Sequence, residues 1–588
     1  MLYTCSNGIE YGGTRMKGLS YRVQKLLIFT FIALFLLSTG CQQGKETPRF
    51  QELIEPQDQY RQVAERLERI IQHEMAAKEL PAFSISLVDG QEIVWAKGFG
   101  KADPDKNIPA TAETIYRIGS VSKLFTDIGI MQLVEKGEIN LDAPVTDYLP
   151  HFTPTNPYDK PITLRQLMSH RSGLIREPPI GNYFDMTEPS LADTIASVNP
   201  TELVYEPETK IKYSNAGIAV VGLVLEETQG SSFPQYLKQA VLKPIGMTNS
   251  SFAPEEAIMN KLAKATMWTL DGQTFVAPTF ELGMAPCGCM YSTVIDLGFF
   301  LEVLFNGGKG PKGRMLQPET LEKMWTPQYA EPGATQGYGI GFALGELEGH
   351  RRVGHGGAIY GFATQLFGLP DAKIGVAAVA TLDATNTVVG RIASHALELM
   401  LAVKENKPLP EMKLSEPVDP ELVKKLAGRW ASEERQFLLL ERNDRLYVSH
   451  PVFAEVKSLE GKLIIDGRLF YGTEIQVQDD KLVVNEKTYS KVEPPESKPV
   501  SEHWKGLIGE YGWDHNILFI TAKEGKLHAL IEWFFPYPLE EISEDVYAFP
   551  NSGLYHGEKL IFKRDAQGRA TEVEAASVVF KRRPPGNS

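Results

Sequence analysis

Ser120 and Lys123 stand three residues apart in Ser120-Val121-Ser122-Lys123. Beyond them Val121, Leu124, Phe125, Ile128, Met131, Leu133 and Val134 recur at helical spacing until Gly137 stops the run. Both side chains therefore share one face at the start of a helix and can touch. A serine hydroxyl is a weak nucleophile until a neighbouring base takes its proton, and a partly desolvated lysine can serve. The helix N-terminus adds free N–H groups and partial positive charge, which favour an oxyanion. A serine followed by a solvated lysine carries the same letters, so the pair decides nothing by itself.

Two further elements extend the constellation. Tyr213-Ser214-Asn215 comes 90 residues beyond Lys123, just before a helical stretch over 216–230. A phenol near a lysine can lose or share its proton, and Asn215 offers a donor and an acceptor to a substrate amide. The plain alternative is a helix cap. His355-Gly356-Gly357 precedes aromatic residues and a hairpin; glycines on an edge strand let a substrate backbone pair with it, where the alternative is a glycine turn.

In this order the three elements resemble the serine β-lactamase and penicillin-binding-protein superfamily, with its S-x-x-K, Tyr- or Ser-led triplet ending in Asn, and K-T-G or variant. The segments TIYRIGS (114–120), NLDAPV (140–145), ITLRQLMSHRSGL (162–174) and PIGM (244–247) look like its connecting pieces. The resemblance covers about residues 60–400 and is nearest the branch with class C β-lactamases, D-aminopeptidases and esterases. It implies Ser120 as nucleophile, Lys123 as activating base or proton shuttle, and Tyr213 as the general base and acid that protonates the leaving group. Asn215 would hold the substrate amide, His355, Gly356 and Gly357 would line the substrate site, and the N–H groups of Ser120 and Ala358 would form the oxyanion hole.

Two departures matter. His355 stands where many relatives have lysine; partly charged near neutral pH, it would attract a substrate carboxylate less as pH rises, which puts strong β-lactamase activity in doubt. Cys289 stands where relatives usually have glycine and would narrow the site.

The elements that must position these residues are legible in outline. An amphipathic helix is expected over 61–76, and Phe83–Val88 and Glu92–Gly98 flank Asp89-Gly90 as a hairpin. Ala363–Leu369 and Ile374–Leu382 form a second hairpin around Pro370-Asp371. Strands at both ends with helices between predict an α+β domain over 61–403 whose single sheet draws on both ends. A charged, proline-rich linker (404–419) follows, then two all-β modules over 420–492 and 504–588, separated by a second linker over 493–503. LAGRW (426–430) and LIGEY (507–511) open the modules alike, a weak hint of duplication. Such modules resemble the barrel domains that follow the catalytic domain in D-aminopeptidases.

Hydrophobic residues make up 43% of the 588 and charged residues 23%, as in ordinary globular proteins. The net charge of -14 opposes binding to phosphate backbones, so no nucleic-acid partner is expected. Residues 1–41 read as a secretory signal: Lys17, Arg22 and Lys25, an apolar stretch over 26–37, then small residues before Cys41. Met16 could serve as the start. The box before Cys41 resembles that of a bacterial lipoprotein, although Ser38 stands where leucine is usual, so Cys41 is expected to carry a lipid anchor and 42–60 to be a tether. The expected location is the cell envelope. Only Cys287 and Cys289 remain for the folded body, too few for a disulfide framework or a zinc site, and they read as buried thiols.

Neither a G-x-S-x-G elbow nor a second histidine after His73-Glu74 is present, which removes two other hydrolase classes. The sequence thus predicts an exported serine hydrolase that forms an acyl-enzyme on Ser120 without metal or organic cofactor. Its leading substrates are peptidoglycan-like or D-amino-acid peptides, with esters and β-lactams behind. The alternative is a surface protein that binds cell-wall peptides or penicillin without turnover; Lys123, Tyr213 and Asn215 argue against it, since binding needs no proton-transfer groups.

Overall fold

A computed structural model describes residues 53–269, 272–449, 453–493, 499–523, 525–532 and 535–584. The signal segment and Cys41 lie outside them. Strand Ala82–Asp89 turns through Asp89-Gly90 into Glu92–Asp103, with Gly90 at φ +64°, where glycine carries no Cβ penalty. Its other edge pairs antiparallel with Ile374–Ala380, Phe83 opposite Ala380, so both ends of the domain meet in one sheet. The sheet then runs outward through Phe362–Leu369, His350–Ile359 and Ala343–Leu347 to Gly337–Tyr338.

Helices Arg61–Lys78 and Asn386–Lys404 cover one face, burying Leu67, Ile71, Val389 and Leu397 with Trp95. A helical lobe covers the other. Its centre is the pair Ser122–Glu135 and Asn215–Gln229, apolar on most sides because both are enclosed by neighbours. The fold is α+β, as the strand and helix order required.

The C-terminal region is all β. Eight short strands from Gly428–Ala431 to Lys487–Val492 close on themselves, Arg429 opposite Val492 and Val456 opposite Ile465. Alternation fills this barrel, as Leu446 and Val448 point inward beside Trp430. The second module comprises a four-stranded sheet beginning at Gly509–Trp513 and a five-stranded one ending at Val578–Lys581, joined by a bridge between Tyr511 and Arg582. Trp430 and Tyr511, from the two similar openings, each enter their own module's core.

Both modules are anchored to the first domain. Lys78 of the N-terminal helix, 4% exposed, pairs with Glu74 at 2.9 Å and with Asp466 of the barrel at 2.7 Å. Burial alone would raise the Asp466 carboxyl, yet Lys78, with help from Ser415 and Lys457, holds it below its ordinary value. Without Lys78, Glu74 keeps Arg391 at 2.8 Å, but the buried Asp466 loses its near partner and is left with Lys457 and Arg391 at 3.7 and 3.9 Å. Lys78→Met should therefore cost about 3–5 kcal/mol, read as an earlier unfolding midpoint in guanidinium, while an unchanged midpoint would contradict the linkage. The sign with pH follows: a lowered folded-state pKa gives a contribution complete above about pH 4 and lost as pH falls through the lowered value.

Candidate active site

Ser120 lies in the tight turn Gly119–Val121 that leads into helix Ser122–Glu135, beside the helix's free N–H groups. Ser122 fixes this turn: its hydroxyl donates to the Gly119 carbonyl at 2.6 Å and accepts the Met290 N–H at 3.1 Å. Lys123, 1% exposed, donates to Ser120 Oγ at 3.0 Å, Asn215 Oδ1 at 2.9 Å and the Cys287 carbonyl at 2.8 Å. Three acceptors account for the three ammonium protons, which is what a buried lysine needs.

Asn215 opens helix Asn215–Gln229, capped by Ser214, whose hydroxyl accepts the Gly217 N–H at 2.8 Å. The Asn215 amide is engaged at both ends, since Nδ2 donates to Glu177 Oε1 at 2.7 Å. Burial pushes the Glu177 carboxyl up to about 7, outweighing the Arg176 guanidinium, whose Nε is 3.2 Å away. Tyr213 packs its ring against His170, with centroids 4.2 Å apart, and against the Lys123 ammonium at 4.9 Å and the Arg176 guanidinium at 5.6 Å. Tyr338 and His355 lie 6.4 and 6.1 Å from the same ring.

The third element arrives on strand His350–Ile359. Pairing with Ala343–Leu347 stops at Gly354, so the outer edge from His355 onward is open to the turn that carries Ser120. A Cβ on Gly357 would meet the Ile118 carbonyl at 1.9 Å, and one on Gly119, at φ +53°, would meet Ala358 N at 2.7 Å. The chain's own backbone, rather than a substrate's, thus requires glycine at 357 and 119, and it brings Ala358 beside Ser120.

The structure corrects two expectations. His355 donates Nδ1–H to the Gly356 carbonyl at 2.5 Å, leaving Nε2 buried and without a partner. Burial, with Lys123 nearby, lowers its pKa to about 4, so it is neutral at physiological pH and is no weakening cation. Cys289 is taken up elsewhere: its thiol lies 3.9 Å from Arg117 and 4.0 Å from the Leu282 carbonyl. Both thiols are free and buried, and burial pushes Cys287 up to about 12 and Cys289 to about 11. The Asn215 side-chain oxygen, one of the two groups offered to a substrate amide, accepts from Lys123.

Ser120, Lys123, Tyr213, Asn215, His355, Gly356, Gly357 and Ala358 thus converge, while Cys41 lies outside the described residues. Glu177, Arg176, His170 and the Cys287 carbonyl were not singled out. His170 sat within a segment already noticed; Glu177 precedes Asn215 by 38 residues and no spacing ties them. Among the described residues no cluster of three or more His, Cys, Asp or Glu is placed to hold a metal ion.

A family model described as Beta-lactamase matches residues 67–399, more than half of the chain. The chain belongs to the beta-lactamase family. It sits in the wider superfamily of serine β-lactamases and penicillin-binding proteins. Beta-lactamase-like protein 2 of Dictyostelium discoideum is 28% identical over 410 residues, 65% of this chain and 74% of that protein. Protein flp of Staphylococcus aureus (strain N315) is 27% identical over 334 residues, 56% of this chain but only 65% of its own length. Among solved structures, the octameric penicillin-binding protein homologue from Pyrococcus abyssi superposes with a TM-score of 0.55 at 25% identity, covering 80% of this chain and 99% of that one. EstCE1, described as a hydrolase with promiscuous acyltransferase activity, gives 0.51 at 24% identity over 57% of this chain and 98% of its own, a likeness of fold.

The neutral state of His355 is directly measurable. In ¹⁵N-labelled protein its ring should hold the Nδ1–H tautomer from about pH 5.5 to about pH 8 and protonate only towards about 4. A midpoint near the ordinary histidine value would overturn that assignment.

Proposed function

We propose that the chain is a serine hydrolase that acylates Ser120 and releases the acyl group to water. The observation that carries this reading is the 3.0 Å contact between the buried Lys123 ammonium and Ser120 Oγ. In the proposed cycle the Lys123–Tyr213 pair gives up one proton before attack, and the vacancy shared by the Lys123 amine and the Tyr213 phenol takes the Ser120 proton as Oγ bonds to the substrate carbonyl carbon. The N–H groups of Ser120 and Ala358 receive the oxyanion. Tyr213 returns the proton to the leaving nitrogen or oxygen as that bond breaks, and water repeats the sequence to free Ser120. Asn215 keeps one Nδ2 proton for the substrate, the other being held by Glu177.

The substrates in this reading are small peptides, amides or esters, with D-amino-acid and peptidoglycan-like peptides first and β-lactams behind. A neutral His355 supports acyl donors that do not depend on a carboxylate being held there. The chain is further read as exported and tethered through a lipid on Cys41, on the strength of residues 17–41. Intact mass after expression in a bacterium that processes lipoproteins should show a diacylglyceryl adduct that Cys41→Ser abolishes; the same mass for both would remove the anchor.

Intact-mass spectrometry of the chain from Gln42 onward tests the chemistry. A fluorophosphonate should add once, and Ser120→Ala should lose the adduct. A penicillin adduct that clears means β-lactamase turnover, and one that persists means penicillin binding. Absence of any adduct would replace the enzyme with a non-catalytic binding protein.

A further inference from the structure

The second β-module reaches the proton-transfer group of the active site. Lys212, the residue before Tyr213, is fully buried and pairs with Glu558 of that module at 2.5 Å. It also donates to the carbonyls of Leu554 and His556 at 3.1 and 2.9 Å. On the other side of Tyr213, the N–H groups of Asn215 and Ala216 donate to the Arg176 carbonyl at 2.8 and 3.1 Å. The Arg176 N–H in turn donates to Glu558 Oε1 at 3.3 Å. One carboxylate of the module therefore ties both flanks of the Tyr213 triplet.

Side chains repeat the connection. The Arg176 guanidinium lies between two phenol rings, 5.6 Å from the centroid of Tyr213 and 5.6 Å from that of Tyr555 in the module. Its remaining charge partner is Glu532 of the module, at 3.8 Å, which also accepts the Tyr555 hydroxyl. The packing is mutual: Phe184 of the first domain lies in the module's core and Ile517 of the module in the first domain's core.

We propose that Glu532 and Tyr555 are positioning residues for the hydrolase, holding Arg176 against Tyr213 so that the phenol is aligned for proton transfer to the leaving group. The inference rests on the reading of Tyr213 as that group. Glu532 acts through Arg176 and does not itself touch substrate. The groups that face Tyr213 from every side are Lys123, His170, Arg176, Tyr338 and His355, with Glu177 and Glu532 behind Arg176. Glu532 is the one carboxylate of this set that a different module supplies.

The leaving group separates alignment from mere stability. p-Nitrophenolate departs without a proton, whereas an alkoxide needs one. In the full chain, Glu532→Gln and Tyr555→Phe should lower kcat/KM, which reports acylation, by about ten-fold for an ethyl ester and by markedly less for the p-nitrophenyl ester of the same acid, whose leaving group needs no proton. The pH profile for the ethyl ester should move with them, and Glu532→Asp should restore part of the rate. Equal losses on both esters, or no loss on either, would overturn the proposal. Tyr555→Phe, which removes one hydroxyl, keeps the test alive if Glu532→Gln does not fold. Tyr213→Phe serves as reference. If it shows the leaving-group dependence and the module variants do not, this inference fails alone; if it shows none, the role of Tyr213 fails and this inference with it.

Discussion

The buried ammonium of Lys123 is the constraint on which the rest of the site depends. An isolated charge this deeply enclosed is costly, and the cost is offset only when each proton finds an acceptor. The three acceptors come from three separate parts of the chain: the turn before the lysine's own helix, the head of helix Asn215–Gln229, and the carbonyl in the loop at Cys287. Satisfying one cation thus fixes three segments relative to each other. It also orients the Asn215 amide, because the oxygen that faces Lys123 forces the nitrogen toward Glu177.

Close backbone packing supplies the second half of the site. Gly357 and Gly119 have no room for a side chain against Ile118 and Ala358. Their role is to let the open edge of a strand approach the turn that carries Ser120. The neutral His355 follows from the same enclosure: a buried ring close to Lys123 does not take a second proton, so position 355 presents an Nε2 acceptor instead of a cation.

The sequence made some of this legible and hid the rest for physical reasons. Helix 122–135 and both hairpins follow from periodicity and turn chemistry, which are local properties. Ser120, Lys123, Tyr213, Asn215 and the 355–358 strand were found because their residue types and order are themselves chemical signals. Glu177 was not, since a single acidic residue in a loop carries no pattern, and its significance arises only when folding brings Asn215 beside it. The charge expected of His355 was wrong because burial, not residue type, sets a histidine's protonation. The asymmetry between the two β-modules, one closed and one built of two joined sheets, depends on long-range pairing that alternation does not specify.

Why the second module should be attached so firmly follows from what surrounds Tyr213. In the proposed cycle Tyr213 passes protons, and a phenol that does so cannot be immobilised through its own hydroxyl, so its position has to be fixed through the ring and the adjoining backbone. The ring is clamped by His170 on one side and Arg176 on the other. The backbone is held at Lys212 and, through Arg176, at Asn215. An arginine buried beside a lysine would be a liability without compensating charge, and Glu177 alone is a weak counter-ion because its carboxyl is pushed up to about 7. Glu532 supplies the balance from outside the domain. The first domain can therefore place a cation against Tyr213 because a second module helps neutralise it, which in the proposed cycle makes that module part of the reacting unit rather than an appendage.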